Sequence, residues 1–189
     1  MRRFSLANPD FEIPPIDYLE LEWAGAADRP LARQLGFQTQ FARFFEHLLH
    51  NLQSVPSETP NWQPTPLDLS LRAGVICTYV LLTVSIAEAA LAALGEERRL
   101  GRRAGALYGQ TFGALLDSWC AAGQPKEEIA DIWPQLQLLK DVRNYVHLPN
   151  AANNDEAYWR QILAREAEIV AAANSVIDHL RNMCHIFRD

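Results

Sequence analysis

The residues best suited to chemistry lie in the stretch LLKDVRNYVHLPN, where an arginine and a histidine interrupt an otherwise apolar pattern. On a helix with about 100° per residue, Arg143 and His147 project about 40° apart. Both directions are close to those of Leu136 and Leu139, so the pair is expected to face inward or into a cleft. A guanidinium can bind phosphate, and an imidazole can exchange a proton near neutral pH. The spacing therefore predicts a site that receives an anionic group.

The same residues also have a structural interpretation. Burying an unpaired ion is costly, so an inward arginine requires a carboxylate partner. Glu88 is the only charged residue between positions 73 and 94, which form the most apolar segment of the chain. The sequence therefore predicts an ion pair between Glu88 and Arg143, with Ser85, one turn before Glu88, as a further member. In this interpretation His147 stabilises a helix C-terminus, where cations are favoured.

Length and composition favour a single all-α domain. The chain has 189 residues, which is enough for one domain with a substantial core. Hydrophobic residues make up 49% of the chain, glycine is sparse, and alternating β-branched runs are missing. This composition disfavours a sheet protein, and we expect a helical fold.

Charge and cysteine spacing restrict the partners and the compartment. A net charge of -6 disfavours a protein that coats nucleic acid, because such binding needs many contacts from Lys and Arg to phosphate. A small, local phosphate site remains compatible with that charge. Cys77, Cys120 and Cys184 are odd in number and far apart, which predicts buried thiols in a reducing compartment. The N-terminus shows no secretory signal, and polar residues interrupt the segment 73–94, so we expect a cytoplasmic protein without a membrane span.

Helix breakers divide the chain into an arm and a bundle of about five helices. Residues 1–27 contain several prolines and no sustained periodicity, which predicts an extended, irregular N-terminal arm before a single domain over residues 28–189. The predicted helices cover about 30–54, 66–94, 104–122, 126–147 and 156–187, with proline or glycine between them. Pro134 is expected to kink or restart the fourth helix. The heptad-like apolar stripe of the last helix predicts packing in the bundle or pairing of subunits.

The chain resembles the HEPN superfamily (higher eukaryotes and prokaryotes nucleotide-binding domain), and most closely its bacterial members that carry an RN…H signature. The resemblance covers about residues 68–187, and its specific part is Arg143, Asn144 and His147 near the end of a later helix. It implies a HEPN-like bundle that forms a homodimer and binds RNA or a nucleotide. It also implies a metal-independent endoribonuclease of a toxin or defence system, with no cofactor and with an antitoxin-like protein as a possible partner.

The resemblance implies a role for each residue of this group. His147 would act as general base or acid on a ribose 2′-hydroxyl and the bridging phosphate. Arg143 would neutralise the phosphate in the transition state, and Asn144 would hold the phosphate or orient the histidine. Glu88 would position Arg143, with Ser85 in support.

A second, non-catalytic interpretation stays open. Only three residues separate Arg143 from His147, which is fewer than is usual in HEPN ribonucleases. In this alternative, Arg143, Glu88 and His147 form a buried structural clasp in a helical interaction module. The last helix would then serve dimerisation or recruit a partner such as an antitoxin, and the protein would not be an enzyme.

A weaker nucleic-acid contact is predicted for the charged connection that follows the second helix. Its arginines are Arg98, Arg99, Arg102 and Arg103. Glu96 and Glu97 precede them and reduce the local positive charge, so a solvated loop is the alternative interpretation.

The sequence predicts no metal site. His47 and His50 lie three residues apart with Glu46 beside them, a spacing that can hold a metal, but no second ligand pair has comparable spacing. Glycine-rich phosphate loops, dinucleotide fingerprints and the HExxH run of zinc proteases are also missing from the sequence.

Overall fold

The computed structural model of the chain describes residues 4–25, 29–54, 66–101, 105–147 and 156–185. These residues form eight helices and two small antiparallel sheets, which confirms the predicted all-α class. The elements are β1 (Phe4–Leu6), α1 (Ile16–Trp23), α2 (Arg29–Asn51), β2 (Leu52–Ser54), α3 (Pro66–Glu97), α4 (Phe112–Ser118), β3 (Cys120–Ala121), β4 (Gln124–Pro125), α5 (Glu127–Ala130), α6 (Trp133–His147), α7 (Glu156–Ala164) and α8 (Glu166–His185).

The fold is built around α3, which packs against α2, α4, α6, α7 and α8. A helix that is apolar around its whole circumference must be covered on all sides, and Ile76, Val80 and Leu91 are fully buried. By length and composition the span Leu69–Glu97 could also cross a membrane, but 61% of its most apolar window is buried inside the protein. That burial favours the core helix of a soluble bundle.

The predicted end of this helix at Gly95 is wrong, since α3 continues to Glu97. Gly95 serves close packing instead of ending the helix. A Cβ atom at this position would lie 2.5 Å from Leu107 Cδ1 and 3.3 Å from Trp119 Nε1. A larger residue at this position would therefore require the end of the Leu107 side chain to move away from α3. The left-handed residue that follows the helix is Arg99, with φ of 56°.

The prediction of an irregular arm over residues 1–27 is wrong for residues 16–23, which form α1 and belong to the core. Leu19 and Trp23 are fully buried, and the Trp23 indole donates a 3.0 Å hydrogen bond to the Thr39 hydroxyl on α2. Strand β1 pairs with β2 at the end of α2. The N-terminal segment thus contributes a helix and a strand to the bundle.

Ion pairs fix α1 to its neighbours. Glu20 accepts hydrogen bonds of 2.9 Å from both Arg29 and Arg33, and these bonds, with that from Arg29 the stronger influence, lower the pKa of the Glu20 carboxyl. Glu22 lies 3.3 Å from Arg43 on α2 and 3.5 Å from Arg181 on α8. Two carboxylates of this short helix therefore join it to α2 and α8.

The predicted third helix over 104–122 is also wrong in extent, because only Phe112–Ser118 is helical. Thr111 caps α4 by accepting a hydrogen bond from the Ala114 backbone N–H. A hairpin of β3 and β4 follows, and its two turn residues, Ala122 and Gly123, both have positive φ, at 50° and 78°. Two successive positive φ angles are typical of a tight hairpin turn, and an α-helix cannot continue through residues with this backbone conformation.

Proline and arginine positions divide the C-terminal helices. As predicted, Pro134 restarts the fourth helical stretch, since it lies in the first turn of α6 after α5 has ended at Ala130. The prediction of a single last helix is wrong, because the helix is interrupted at Arg165, between α7 and α8. Leu148 and Pro149, the predicted end of the fourth helix, lie outside the described residues.

We expect Trp23→Ala to lower the free energy of unfolding by about 3–5 kcal/mol, because it removes a fully buried indole and its hydrogen bond to Thr39. Urea unfolding monitored by circular dichroism measures the change. The matched control is Leu21→Ala on the same helix, where 54% of the residue is exposed and the loss should stay within about 0.5 kcal/mol. Equal losses of unfolding free energy in the two variants would indicate that the N-terminal segment is only loosely attached to the bundle.

We expect the three thiols to react unequally with a thiol reagent at pH 8. Burial raises the pKa of Cys184 to about 12, and the thiolate is the reactive form. Cys77 is also buried, whereas Cys120 is half-buried. The folded protein should therefore be modified first at Cys120, and Cys120→Ser should abolish that early phase in mass spectrometry. Early modification of Cys184 would contradict the packing of α8.

Candidate functional site

The helix that carries the predicted site is α6, and it extends through His147. Leu136 and Leu139 are fully buried on its inner side, and Arg143 follows Leu139 by four positions on that same side. The helical backbone predicted for this stretch is thus confirmed. The side chains of Val146 and His147 lie outside the described residues, so the approach of the imidazole to Arg143 stays a prediction.

The predicted ion pair between α3 and α6 is confirmed. Arg143 Nη2 lies 3.5 Å from Glu88 Oε1. This distance exceeds the 2.7–2.9 Å typical of a short charge-assisted hydrogen bond. Arg143 exposes 27% of its side chain and Glu88 exposes 29%. The pair is therefore partly desolvated and accessible from one side, and it is neither an enclosed clasp nor a fully solvated contact.

Ser85 and Asn144 do not join this pair. Ser85 is half-buried one turn before Glu88, and its side chain makes no hydrogen bond within the described part of the chain. Asn144 is exposed and, as the next residue along α6, projects about 100° from Arg143. Glu88 and Arg143 are thus the side chains of the predicted site that the structure brings into contact.

The arginine-rich connection is divided between different environments. Arg98 donates a 3.1 Å hydrogen bond to Glu128 on α5, and its guanidinium lies 5.5 Å from the centre of the Trp119 ring. Only 18% of the Arg98 side chain is exposed, so a solvated loop is the wrong description for this residue. Its charge stabilises the end of α3 and does not form an open phosphate surface. Arg99 is exposed, whereas Arg102 and Arg103 lie outside the described residues.

A polar cluster that the sequence analysis missed surrounds a cavity of about 150 Å³ between α2, α3 and α8. The Tyr79 hydroxyl donates to Asn174 Oδ1, and Asn174 Nδ2 donates to Glu46 Oε1 at 2.6 Å. Burial, with smaller contributions from Glu46 and Asp178, raises the pKa of Tyr79. These groups satisfy one another, which indicates a structural role. They come from distant parts of the chain, so no local motif could have revealed them.

A larger cleft of about 360 Å³ separates α6 from α7 and the start of α8, and we call it the α6–α7 cleft. Its residues include Asp141, Val142, Tyr145, Gln161, Ile162, Arg165 and Ile169. Because Arg143 and Tyr145 are two positions apart, they project about 160° apart on α6. The cleft and the Glu88–Arg143 pair therefore lie on opposite sides of the same helix.

The described residues contain no group of three or more His, Cys, Asp or Glu side chains placed to hold a metal. His47 and His50 make separate contacts. His47 Nε2 lies 2.9 Å from the carbonyl oxygen of Asn8, and His50 Nε2 lies 3.9 Å from Glu46 Oε1. The two imidazoles of this helix are thus engaged by different partners.

Comparison with known proteins assigns no family to the chain. No protein-family model, curated protein or solved structure matches it. The HEPN resemblance therefore rests on Arg143, Asn144 and His147, together with the acidic position of Glu88 in the second predicted helix. The function has to be argued from the geometry of these residues.

We expect Glu88→Gln and Arg143→Gln to be coupled in a double-mutant cycle of unfolding. Because the pair is partly exposed and 3.5 Å long, the coupling should be modest, at about 0.5–1 kcal/mol at low salt. It should shrink in 1 M salt as the charges are screened. Strictly additive losses at low salt would show that the contact contributes nothing to the packing of α6 on α3.

Proposed function

We propose that the protein is a HEPN-like RNA- or nucleotide-binding protein in which Arg143 contacts a phosphate group. The observation that carries the proposal is the accessible Glu88–Arg143 ion pair, 3.5 Å long with 27% of the arginine side chain exposed. A guanidinium has five N–H donors. Arg143 can therefore keep its contact with Glu88 while other donors bind phosphate oxygens.

The pairing with Glu88 supports this role in two ways. A carboxylate on a buried helix restricts the arginine side chain before any ligand arrives, so less conformational freedom is lost on binding. Partial desolvation also strengthens a contact between a guanidinium and an anion. With a net charge of -6 on the chain, binding would depend on a few local contacts, and we expect a shallow dependence of affinity on salt.

His147 extends the proposal to catalysis. It is the last residue of α6 and lies four positions after Arg143. As general base, its imidazole would take the proton of a ribose 2′-hydroxyl; the 2′-oxygen then bonds to phosphorus, the bond to the 5′-oxygen breaks, and that oxygen takes up a proton. Arg143 would neutralise the charge that develops on the phosphate. No metal is required, and a homodimer would supply a second histidine as the acid.

This activity would suit a cytoplasmic toxin or defence protein whose partner is antitoxin-like. A second candidate function is also favoured by a specific observation, because the Glu88–Arg143 contact joins α3 to α6 within the fold. In that alternative the contact is structural and the protein is a non-catalytic interaction module. The two functions differ in what His147 does.

We expect expression of the chain in bacteria to arrest growth, and His147→Ala to relieve the arrest without loss of stability. The purified protein should cleave single-stranded RNA in the presence of EDTA, and Arg143→Ala should reduce RNA affinity about tenfold or more, a change of about 1.4 kcal/mol. Arg29→Ala is the matched control, since it removes the same charge from a side chain that is 84% exposed on α2.

The outcomes separate the two functions. Loss of RNA binding in Arg143→Ala but not in Arg29→Ala supports the phosphate site. Equal growth of wild type and His147→Ala, with no RNA binding by the wild type and with lowered stability in Arg143→Ala, overturns it in favour of the structural clasp.

A further inference from the structure

We infer that the α6–α7 cleft binds an unpaired nucleobase, which would make it the base-binding part of the proposed RNA or nucleotide site. The inference rests on that proposed function and adds the part of the ligand that is recognised. A cleft of about 360 Å³ lies within the range of small-ligand sites, which are largely apolar with a few polar groups.

The walls of the cleft suit a flat, apolar ring. Val142 and Ile162 are almost fully buried, and Ile169 is fully buried, so they form a floor that is fixed by the core. Tyr145 is 53% exposed and borders the same cleft. Exposed aromatic rings beside apolar floors are the surfaces on which single-stranded nucleic acids stack their bases.

The polar rim distinguishes a base from a free phosphate. Asp141 and Gln161 are exposed at the rim. Arg165 is also there, but its guanidinium donates two hydrogen bonds, of 2.9 and 3.0 Å, to Glu168. The carboxylates of Asp141 and Glu168 outnumber the single Arg165 guanidinium, so the rim is unfavourable for an anion. A neutral heterocycle with N–H donors suits the Asp141 carboxylate, and the Gln161 amide can both donate and accept.

The cleft and Arg143 lie near the same end of α6, on opposite sides of the helix. Tyr145 follows Arg143 by two positions, one on each side of the helix, close to its C-terminal end at His147. A single strand of several nucleotides would be needed to present a base to Tyr145 and a phosphate to Arg143 at the same time. The two sites would then read different parts of one ligand, ring and phosphate.

The test uses the full chain and adenosine, cytidine and uridine, which carry bases without phosphate, in calorimetric titration. Adenosine and cytidine have amino donors for Asp141, whereas the N3–H of uridine lies between two carbonyl oxygens that the carboxylate repels, so we expect uridine to bind more weakly. Tyr145→Leu should weaken adenosine binding about fivefold or more, because it removes the aromatic ring on which the base would stack. Tyr145→Phe keeps the ring and should retain most of the affinity.

Two further variants make the result specific to the cleft. Ala164→Phe places a ring in the cleft from the exposed end of α7 and should abolish adenosine binding. An unchanged circular dichroism spectrum would show that this variant keeps its fold. Tyr18→Leu changes an exposed tyrosine on α1 and should leave the affinity unchanged. No adenosine binding at millimolar concentration, or equal effects of Tyr145→Leu and Tyr18→Leu, overturns the inference.

The failure of this inference is distinguishable from that of the proposed function. Arg143→Ala should not change adenosine binding, because the nucleoside has no phosphate. If RNA binds through Arg143 but Tyr145→Leu does not change RNA binding, the inferred base site is rejected and the proposed phosphate site is retained. If adenosine binding depends on Tyr145 but RNA does not bind, the base site is supported and the proposed function is rejected.

Discussion

The burial of most of α3 by the helices around it is the constraint on which the rest of the structure depends. Five helices cover it, and a carboxylate at Glu88 in such a helix requires a cation from one of them. Arg143 provides that cation. The contact is consistent with the rotation of α6 that buries Leu136 and Leu139 in the core and leaves the arginine on the same side. A requirement of folding thus places the group on which the proposed function depends.

Much of this region could be predicted from the sequence because the pattern there is simple. A long apolar run with one acidic residue requires a partner, and α6 offers an arginine at the spacing of its buried leucines. The N-terminal helix could not be predicted in the same way. It has eight residues, two prolines precede it, and its buried Glu20 and Glu22 look like surface residues until Arg33 and Arg181 approach from other helices.

Elsewhere too, the features that local sequence patterns did not predict arise from contacts between segments that are distant along the chain. Gly95 looks like a helix stop in the sequence, yet α3 continues to Glu97 and the Leu107 side chain packs against Gly95. The α6–α7 cleft joins residues 141–145 to residues 161–169, and no local periodicity marks such a meeting. Arg98 illustrates the reverse, since an apparently solvated charge is covered by Trp119 and paired with Glu128.

The central claim is that Arg143 holds a phosphate while it remains next to Glu88. The most direct test is the Nε–Hε resonance of Arg143 in nitrogen-15 NMR, assigned with Arg143→Lys, during titration with a short single-stranded RNA. We expect this resonance to shift with the RNA and to stay in place with the uncharged nucleoside. An unchanged Arg143 resonance at an RNA concentration that saturates the protein, or no detectable binding of the RNA, would contradict the account.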